Sequence, residues 1–550
     1  MIASYNIGAL LGEQASIRPE STALVFPDVR DVSGPRWKTA TFAALHRRSD
    51  RYARGLADRG LRRGDRTLFL MKPSIDFYEV LFGAIKLGAV PVLVDPGMGL
   101  PAVLRCIRQI GPRAVIATPL VHAVRTFVRR PFSSADILVT AGDRWFWGGV
   151  TLQQCLGPDE PFEMKSYAAD DEVGIVFTSG STGPAKGVSY THGAFHAVSR
   201  LAGAPLGRVA GRVNLETFAA YVLFDVVQGI TSVVPDMDLS RPATVDPAKL
   251  VEAISAWSPE TAFASPVVLR KLFRHCTEHG ISLPFRDVLT GVAPVPCALH
   301  RQLRDLAPEA TLHVNYGATE GMTATHIDSD EILGESWAKT KRGHGTCVGR
   351  PFPGMTVRLI HITDDPVPSW SDDLHVPEGE FGEIVLEGPV VSRAYADLPD
   401  ANAAAKIARG DAILHRTGDL GRLDDQGRLW FCGRKAHRLE TRNGIVPPVP
   451  VEGIFNQHPA VLRTALVGVG ERGTEVPVLC VELEIGVTWS EDLEREVLGL
   501  ADGTRWSGIV EDVLAHPGFP VDARHNAKIR REELRKWATR TLPAARSVGA

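Results

Sequence analysis

The stretch Ile175-Val176-Phe177-Thr178-Ser179-Gly180-Ser181-Thr182-Gly183-Pro184-Ala185-Lys186-Gly187 decides how this chain is read. An apolar run with strand character enters a loop of hydroxyls and glycines that carries a single lysine. Small residues let backbone N–H groups approach a phosphate closely, the hydroxyls add donors, and Lys186 adds positive charge. The segment is therefore a phosphate cradle. Gly180 to Lys186 has the glycine-to-lysine spacing of a Walker loop, but Ala185 precedes the lysine and Gly187 follows it, so the Gly-Lys-Ser/Thr core is missing and a P-loop NTPase is disfavoured. A flexible surface turn would explain the glycines. It would not explain the strand and four hydroxyls before Lys186.

Upstream of this loop, helix and strand signals alternate. Phe42 to Gly60 carries Leu45, Tyr52 and Leu56 at helical intervals, and Arg66 to Met71 reads as a buried strand. Ser74 caps a second helix to about Leu87, and Ala89 to Val94 is a strand ending at Asp95-Pro96-Gly97. The pattern recurs at Ala114 to Thr118, Ile137 to Thr140 and around Leu250 to Phe263, which predicts a predominantly parallel α/β system. His361 to Glu383, crowded with Asp and Pro, reads as a surface excursion. Beyond about Gly433 the texture changes: Ala465 to Val469 and Val476 to Leu483 are short strands, Thr488 and Glu491 have capping-box spacing, and a charged helix closes the chain. In that helix Glu532 and Lys536 form an i,i+4 pair, so its arginines read as a solvated face.

At 550 residues the chain is too long for one compact core. It is 44% hydrophobic and 23% charged, an ordinary globular balance, and 61 basic against 64 acidic residues give −3, with no global reason to bind nucleic acid or an anionic membrane. No apolar run approaches the roughly 18 to 20 residues needed to span a bilayer. The first twenty residues lack a basic n-region, so a secretory signal is not expected. Seven scattered cysteines without CxxC spacing fit a reduced, cytoplasmic protein.

Four further motifs follow the loop: Gly291-Val292-Ala293-Pro294, Tyr316-Gly317-Ala318-Thr319-Glu320, His415-Arg416-Thr417-Gly418-Asp419 with Gly433-Arg434, and Pro520 to Ile529 around Lys528. Singly each has an ordinary explanation: Tyr316 a core aromatic, Glu320 a helix N-terminal charge, Asp419 a turn former, Lys528 a surface lysine. Together, and in this order, they resemble the adenylate-forming superfamily of acyl-CoA synthetases, peptide-synthetase adenylation domains and luciferases from about residue 40 to about residue 530. The resemblance implies an α/β fold with a large N-terminal adenylation domain, residues 1–433, of three subdomains, and a small mobile α+β domain, 434–550. It implies ATP and Mg²⁺, with Thr178, Ser179, Gly180, Ser181, Thr182, Gly183 and Lys186 at the phosphates, Gly291 and Ala293 on the adenine side, and Gly317 and Ala318 also binding the nucleotide. Tyr316 would lie against the adenine and Thr319 would contact the phosphate. Glu320 and Thr178 would hold magnesium, and Asp419 and Arg434 would sit at the ribose. Lys528, Lys186, Thr319 and Glu320 would be catalytic.

The chain departs from the superfamily pattern in two places. Asn526-Ala527 stands where Ser-Gly usually precedes the lysine, and Asn443-Gly444-Ile445-Val446-Pro447-Pro448 replaces the glycine loop that helps to form a thioester channel, which weakens the case for CoA. Val94 to Gly99, Trp147 to Val150, Val234 to Asp238, Glu331 to Glu335 and Arg524 to Lys528 look like one branch, the olefin β-lactone synthetases. That likeness implies activation of a 2-alkyl-3-hydroxy fatty acid as acyl-AMP, closure to a β-lactone in long-chain olefin biosynthesis, no nucleic-acid partner, no membrane span, and room for a complex with neighbouring olefin-pathway enzymes. A long-chain acyl-CoA ligase, an acyl-AMP ligase feeding a carrier protein and a catalytically dead lipid sensor are the alternatives. His192, His196, Glu216 and His326 are conceivable bases for ring closure, and Phe218, Tyr221 and Phe224 could line an acyl tunnel.

Overall fold

The computed structural model describes residues 5–28, 36–178, 184–203, 206–291, 293–521 and 529–548. The loop residues Ser179, Gly180, Ser181, Thr182 and Gly183, together with Lys528, lie outside them.

Three sheets build the N-terminal part among the described residues. Strands Arg66–Leu70, Val90–Leu93, Ala114–Ala117, Ile137–Thr140 and Glu172–Thr178 run parallel in an eight-stranded sheet. The chain then reverses through the phosphate loop into the antiparallel strand Lys186–Thr191. A nine-stranded sheet repeats the plan, with Thr261–Phe263, Asp287–Thr290 and Thr311–Ala318 parallel and Gly321–Asp328 returning antiparallel. The parallel strands are buried runs such as Ala114 to Ala117, as expected where helices cover both faces. The third sheet, six-stranded and antiparallel, includes Gly382–Glu387, Ala412–Leu423 and Leu429–Arg434. A small C-terminal α+β domain follows, whose sheet comprises Val461–Val469, Val476–Leu483 and Asp512–Ala515. The mixed α/β class with a large N-terminal and a small C-terminal domain is as expected.

Two local expectations fail. The helix Glu491–Gly499 is capped by Ser490, whose hydroxyl accepts from the Leu493 amide at 3.2 Å, so the Thr488 capping box is not formed; two residues with suitable spacing stood near this terminus, and the one nearer the helix took it. The 361–383 segment is also more than a surface excursion. Asp364 takes Arg438 at 2.8 Å and Arg472 at 2.9 Å from the C-terminal domain, while buried Glu383 takes Arg416 at 2.6 Å and Lys435 at 3.0 Å. Arginines on the last helix reach carboxylates of their own domain, Arg535 meeting Glu475 at 2.9 Å and Arg531 meeting Glu452. All seven cysteines are free and buried.

One buried polar network fixes the strand that leads to the 216–218 turn. Asp225 pairs with Arg208 and accepts from Asn214 at 2.9 Å and Ser232 at 2.8 Å; Glu216 accepts from Asn214 at 3.1 Å and from the Phe218 amide at 2.9 Å. Both carboxylates are fully buried, and burial lifts the pKa of each against the nearby Arg208 charge. Removing one member of such a set leaves another buried and unpaired. Asp225→Ala should therefore cost about 3–5 kcal/mol in denaturant unfolding. A loss below about 1 kcal/mol would show that the network does not hold this strand.

Candidate active site

The edge where the parallel strands give way to antiparallel returns carries the candidate site. Thr178 ends its strand directly opposite Lys186 in the antiparallel ladder, so the two ends of the phosphate loop are held side by side. The Lys186 ammonium lies 4.9 Å from the centroid of the Tyr395 ring.

The second motif arrives on Thr311–Ala318. Gly317 is needed for close approach: a Cβ there would sit 2.6 Å from the Gly321 carbonyl oxygen and 3.1 Å from the Thr323 amide. Thr323 itself holds φ at 63°, an uncommon conformation for a β-branched residue, on the strand facing Gly317. Gly291 is similarly constrained, its Cβ position being 2.9 Å from the Asn315 carbonyl oxygen. Thr319 is held through its carbonyl, which accepts from the Tyr190 hydroxyl.

Glu320 is clamped at two points. The Tyr395 hydroxyl donates to its Oε1 at 2.6 Å, and the Ser392 amide donates to its carbonyl at 2.7 Å. Lys406 supports the clamp from below, donating to the Ser392 hydroxyl at 2.9 Å and to the Ser392 carbonyl, with its ammonium 5.5 Å from the Tyr395 ring centroid. Burial lowers the Lys406 pKa to about 7, opposed by the Glu320 charge. His415, fully buried beside these lysines, is held neutral by burial first and by the Lys406 charge second.

Asp419 joins two sheets. The Tyr316 hydroxyl donates to one of its oxygens at 2.8 Å, and Arg434, its cross-strand neighbour, approaches the other at 2.8 Å. Burial raises the Asp419 pKa, while Arg434 and the Tyr316 hydrogen bond oppose the shift; Tyr316 is itself pushed well above its ordinary value by burial and by Asp419.

Asn315, next to Tyr316, has both side-chain polar atoms buried and without a partner among the described residues. An adjacent donor and acceptor beside Gly291 suit the polar edge of a purine. A hard divalent cation that keeps waters and phosphate oxygens needs only one or two protein oxygens. The Glu320 carboxylate, fixed by Tyr395, and the Thr178 hydroxyl at the loop mouth fit that requirement. No group of three or more His, Cys, Asp or Glu forms a self-contained metal centre among the described residues.

The structure thus brings Thr178 and Lys186 together across the loop ends, Glu320 to Tyr395, and Tyr316, Asp419 and Arg434 into one chain of contacts. Ala318 and Thr319 follow Tyr316 on the same segment, and Ala293 lies two residues beyond Gly291, half-buried. Sequence reasoning passed over Asn315, Ser392, Tyr395 and Lys406. A buried lysine and a tyrosine eleven residues apart carry no chemical spacing, so only the fold reveals them.

Three of the four conceivable bases, Glu216, His192 and His326, are engaged elsewhere. Glu216 belongs to the Arg208–Asp225 network. His192 Nδ1 accepts from the Ile7 amide at 3.3 Å, and His326 is hydrogen-bonded to His313, which reaches Asp287. Burial holds His192 and His326 near pKa 4. His196 borders a separate cleft of about 970 Å³ beside Tyr5 and Gln228. Tyr221 stacks on Phe263 with centroids 4.1 Å apart and meets Phe218 and Phe224 edge-on, a packed aromatic cluster.

Residues 11–396 match the model of the AMP-binding enzymes, and the chain belongs to that family. It is an ATP-dependent, AMP-forming ligase. Over its whole length it is similar to two curated relatives, each described as an olefin β-lactone synthetase: one from Stenotrophomonas maltophilia, 42% identical over 549 residues and 98% of each chain, and one from Xanthomonas campestris, 42% identical over 547 residues and 97% of each chain. Among solved structures, an amide bond synthetase from Marinactinospora thermotolerans shares the fold, with a TM-score of 0.77, 20% identity and coverage of 96% of this chain and 99% of that one.

The site makes a graded prediction. Lys186→Ala and Glu320→Ala should each slow pyrophosphate release about a hundredfold or more if the lysine offsets phosphate charge and the carboxylate holds Mg²⁺. Tyr395→Phe, which removes only the hydroxyl that fixes Glu320, should slow it about tenfold. Near-normal release by all three, with unchanged thermal melting, would move the chemistry away from this edge.

Proposed function

We propose that the protein activates a 2-alkyl-3-hydroxy fatty acid with ATP and closes it to a β-lactone, releasing AMP and pyrophosphate, as a step in making long-chain olefins. The observation that carries this reading is the end-to-end similarity to two olefin β-lactone synthetases, which includes the C-terminal domain. The adenylation edge supports the first half-reaction. A substrate carboxylate oxygen attacks the α-phosphorus, the α–β phosphoanhydride bond breaks, and pyrophosphate leaves. Lys186 and the phosphate loop offset the charge on the leaving group, Tyr316 and Asn315 orient the base, and Asp419 with Arg434 takes the ribose. Glu320 and Thr178 are the residues that would hold Mg²⁺, whose contribution when bound is charge neutralisation at the phosphates.

In the second half-reaction the substrate's own 3-hydroxyl attacks the acyl carbon, the acyl–phosphate bond breaks, AMP leaves, and the hydroxyl proton is released. A tethered nucleophile needs no second substrate and gains the proximity advantage, provided water is kept out. The segment where a thioester-forming enzyme would have its glycine loop supports this reading. Leu439–Thr441 and Gly444–Val446 close a tight hairpin there, and Pro447 and Pro448 follow at once. In this reading the domains divide between residues 433 and 434, and Lys528 is delivered by a mobile 434–550 unit to serve adenylation.

Two outcomes test the reading. With ATP and Mg²⁺ but no CoA, a 2-alkyl-3-hydroxy acid should yield AMP and a neutral product lighter by one water, whereas the acid lacking the 3-hydroxyl should stall as bound acyl-AMP. Efficient acyl-CoA formation from the unhydroxylated acid, with no dehydrated product from the hydroxylated one, would make the protein an acyl-CoA ligase. Lys528→Ala should impair acyl-AMP formation far more than consumption of supplied acyl-AMP. Equal losses in both half-reactions would remove Lys528 from the adenylation step.

A further inference from the structure

One region of the surface breaks the charge balance of the chain. Residues 100–149 contain seven arginines and two aspartates, with neither lysine nor glutamate, for a local charge of +5 in a protein of −3. Of these arginines only Arg113 has a carboxylate ion-pair partner among the described residues, Asp136 at 2.8 Å.

The same fifty residues hold five of the eleven exposed large hydrophobic side chains described, and all of the aromatic ones: Phe127 is 82% exposed, Phe146 70%, Leu120 69%, Trp145 55% and Leu100 54%. Leu120, Val124 and Phe127 recur at i, i+4 and i+7 on helix Pro119–Phe127, which makes an outward apolar stripe. The 141–149 loop lies against this helix. Buried Trp147 stacks on His122 with centroids 5.7 Å apart and donates to Thr140 at 3.0 Å; a Cβ at Gly142 would touch Pro119 at 3.6 Å. Trp145 and Phe146 pack on Trp147 at 5.3 and 5.2 Å and project from this anchored base. Arg144 is bonded to the Trp147 carbonyl, and Arg129 and Arg130 follow the helix after Val128.

From this juxtaposition we infer that helix Pro119–Phe127 and the 141–149 loop form a docking surface for an anionic lipid bilayer. Tryptophan, phenylalanine and leucine beside arginines that lack a carboxylate partner among the described residues match the chemistry of a membrane interface, where rings enter the headgroup–acyl boundary and guanidinium groups meet lipid phosphates. Surface contact of this kind is separate from spanning, and no described helix is long and apolar enough to cross a membrane. The location gives the contact a use. Ala114–Ala117, Ile137–Thr140 and Glu172–Thr178 are parallel, so the helix, the aromatic loop and the phosphate loop all leave the same end of one sheet. A bilayer docked there faces the end of the molecule that carries the adenylation edge. The inference goes beyond the lactone reading and does not need it, because binding is measured without substrate.

Flotation of the full chain with vesicles decides the matter. The protein should float with vesicles of phosphatidylcholine containing phosphatidylglycerol, should bind pure phosphatidylcholine far more weakly, and should be released by high salt. Phe127→Ser combined with Phe146→Ser, and separately Arg129→Glu combined with Arg130→Glu, should each weaken binding about tenfold or more, while pyrophosphate release from a short, water-soluble 3-hydroxy acid stays unchanged. Absence of binding by the unaltered protein, or equal binding by both variants, overturns the proposal. If the unaltered protein ignores vesicles but elutes as an oligomer that either variant dissociates, the surface is a contact between copies of the chain and the lipid assignment is wrong.

Discussion

The hydrogen bond from the Tyr316 hydroxyl to Asp419 is the contact on which the site depends. It joins a strand of the nine-stranded sheet to a strand of the six-stranded one, residues 103 positions apart, and Arg434 closes the other side of the same carboxylate. Burial raises the Asp419 pKa, and Arg434 and the Tyr316 hydroxyl both oppose that shift, favouring the carboxylate. Arg434 is also the last residue of its strand. One carboxylate therefore ties strands of two sheets together.

A second clamp, built from Tyr395, Ser392 and Lys406, does for Glu320 what Tyr316 and Arg434 do for Asp419. Each acidic residue is fixed by a tyrosine from a different sheet and supported by a basic residue. Fixed acceptors and charges of this kind lower the reorganisation needed when charge develops at the phosphates. Tyr316 with Asp419, and Glu320 with Tyr395, are the two motif contacts that cross between sheets.

The α/β architecture was legible because hydrophobic runs, caps and turn residues are local signals. Ser74 caps its helix through the Phe77 amide as its sequence position suggests, and Ala114 to Ala117 is a buried strand. The motifs stood out because their residue types are unusual at their spacing, and through resemblance. Ser392, Tyr395 and Lys406 were not, because their roles lie in contacts between segments, and Asn315 was not, because its buried polar side chain shows only in three dimensions. The Ser490 cap and the engagement of Glu216 and His326 escaped for related reasons. The first was a choice between neighbouring hydroxyls, and the others depended on buried partners visible only in three dimensions.

The most direct test of this account is a double-mutant cycle of Tyr316→Phe and Asp419→Asn, read as the KM for ATP in pyrophosphate exchange. If the hydroxyl and the carboxylate act as one unit at the ribose, the second substitution should add little to the first, giving a coupling of about 1 kcal/mol or more. Fully additive losses would show that Tyr316 and Asp419 serve the nucleotide independently, and the contact between the sheets would lose its place at the centre of the site.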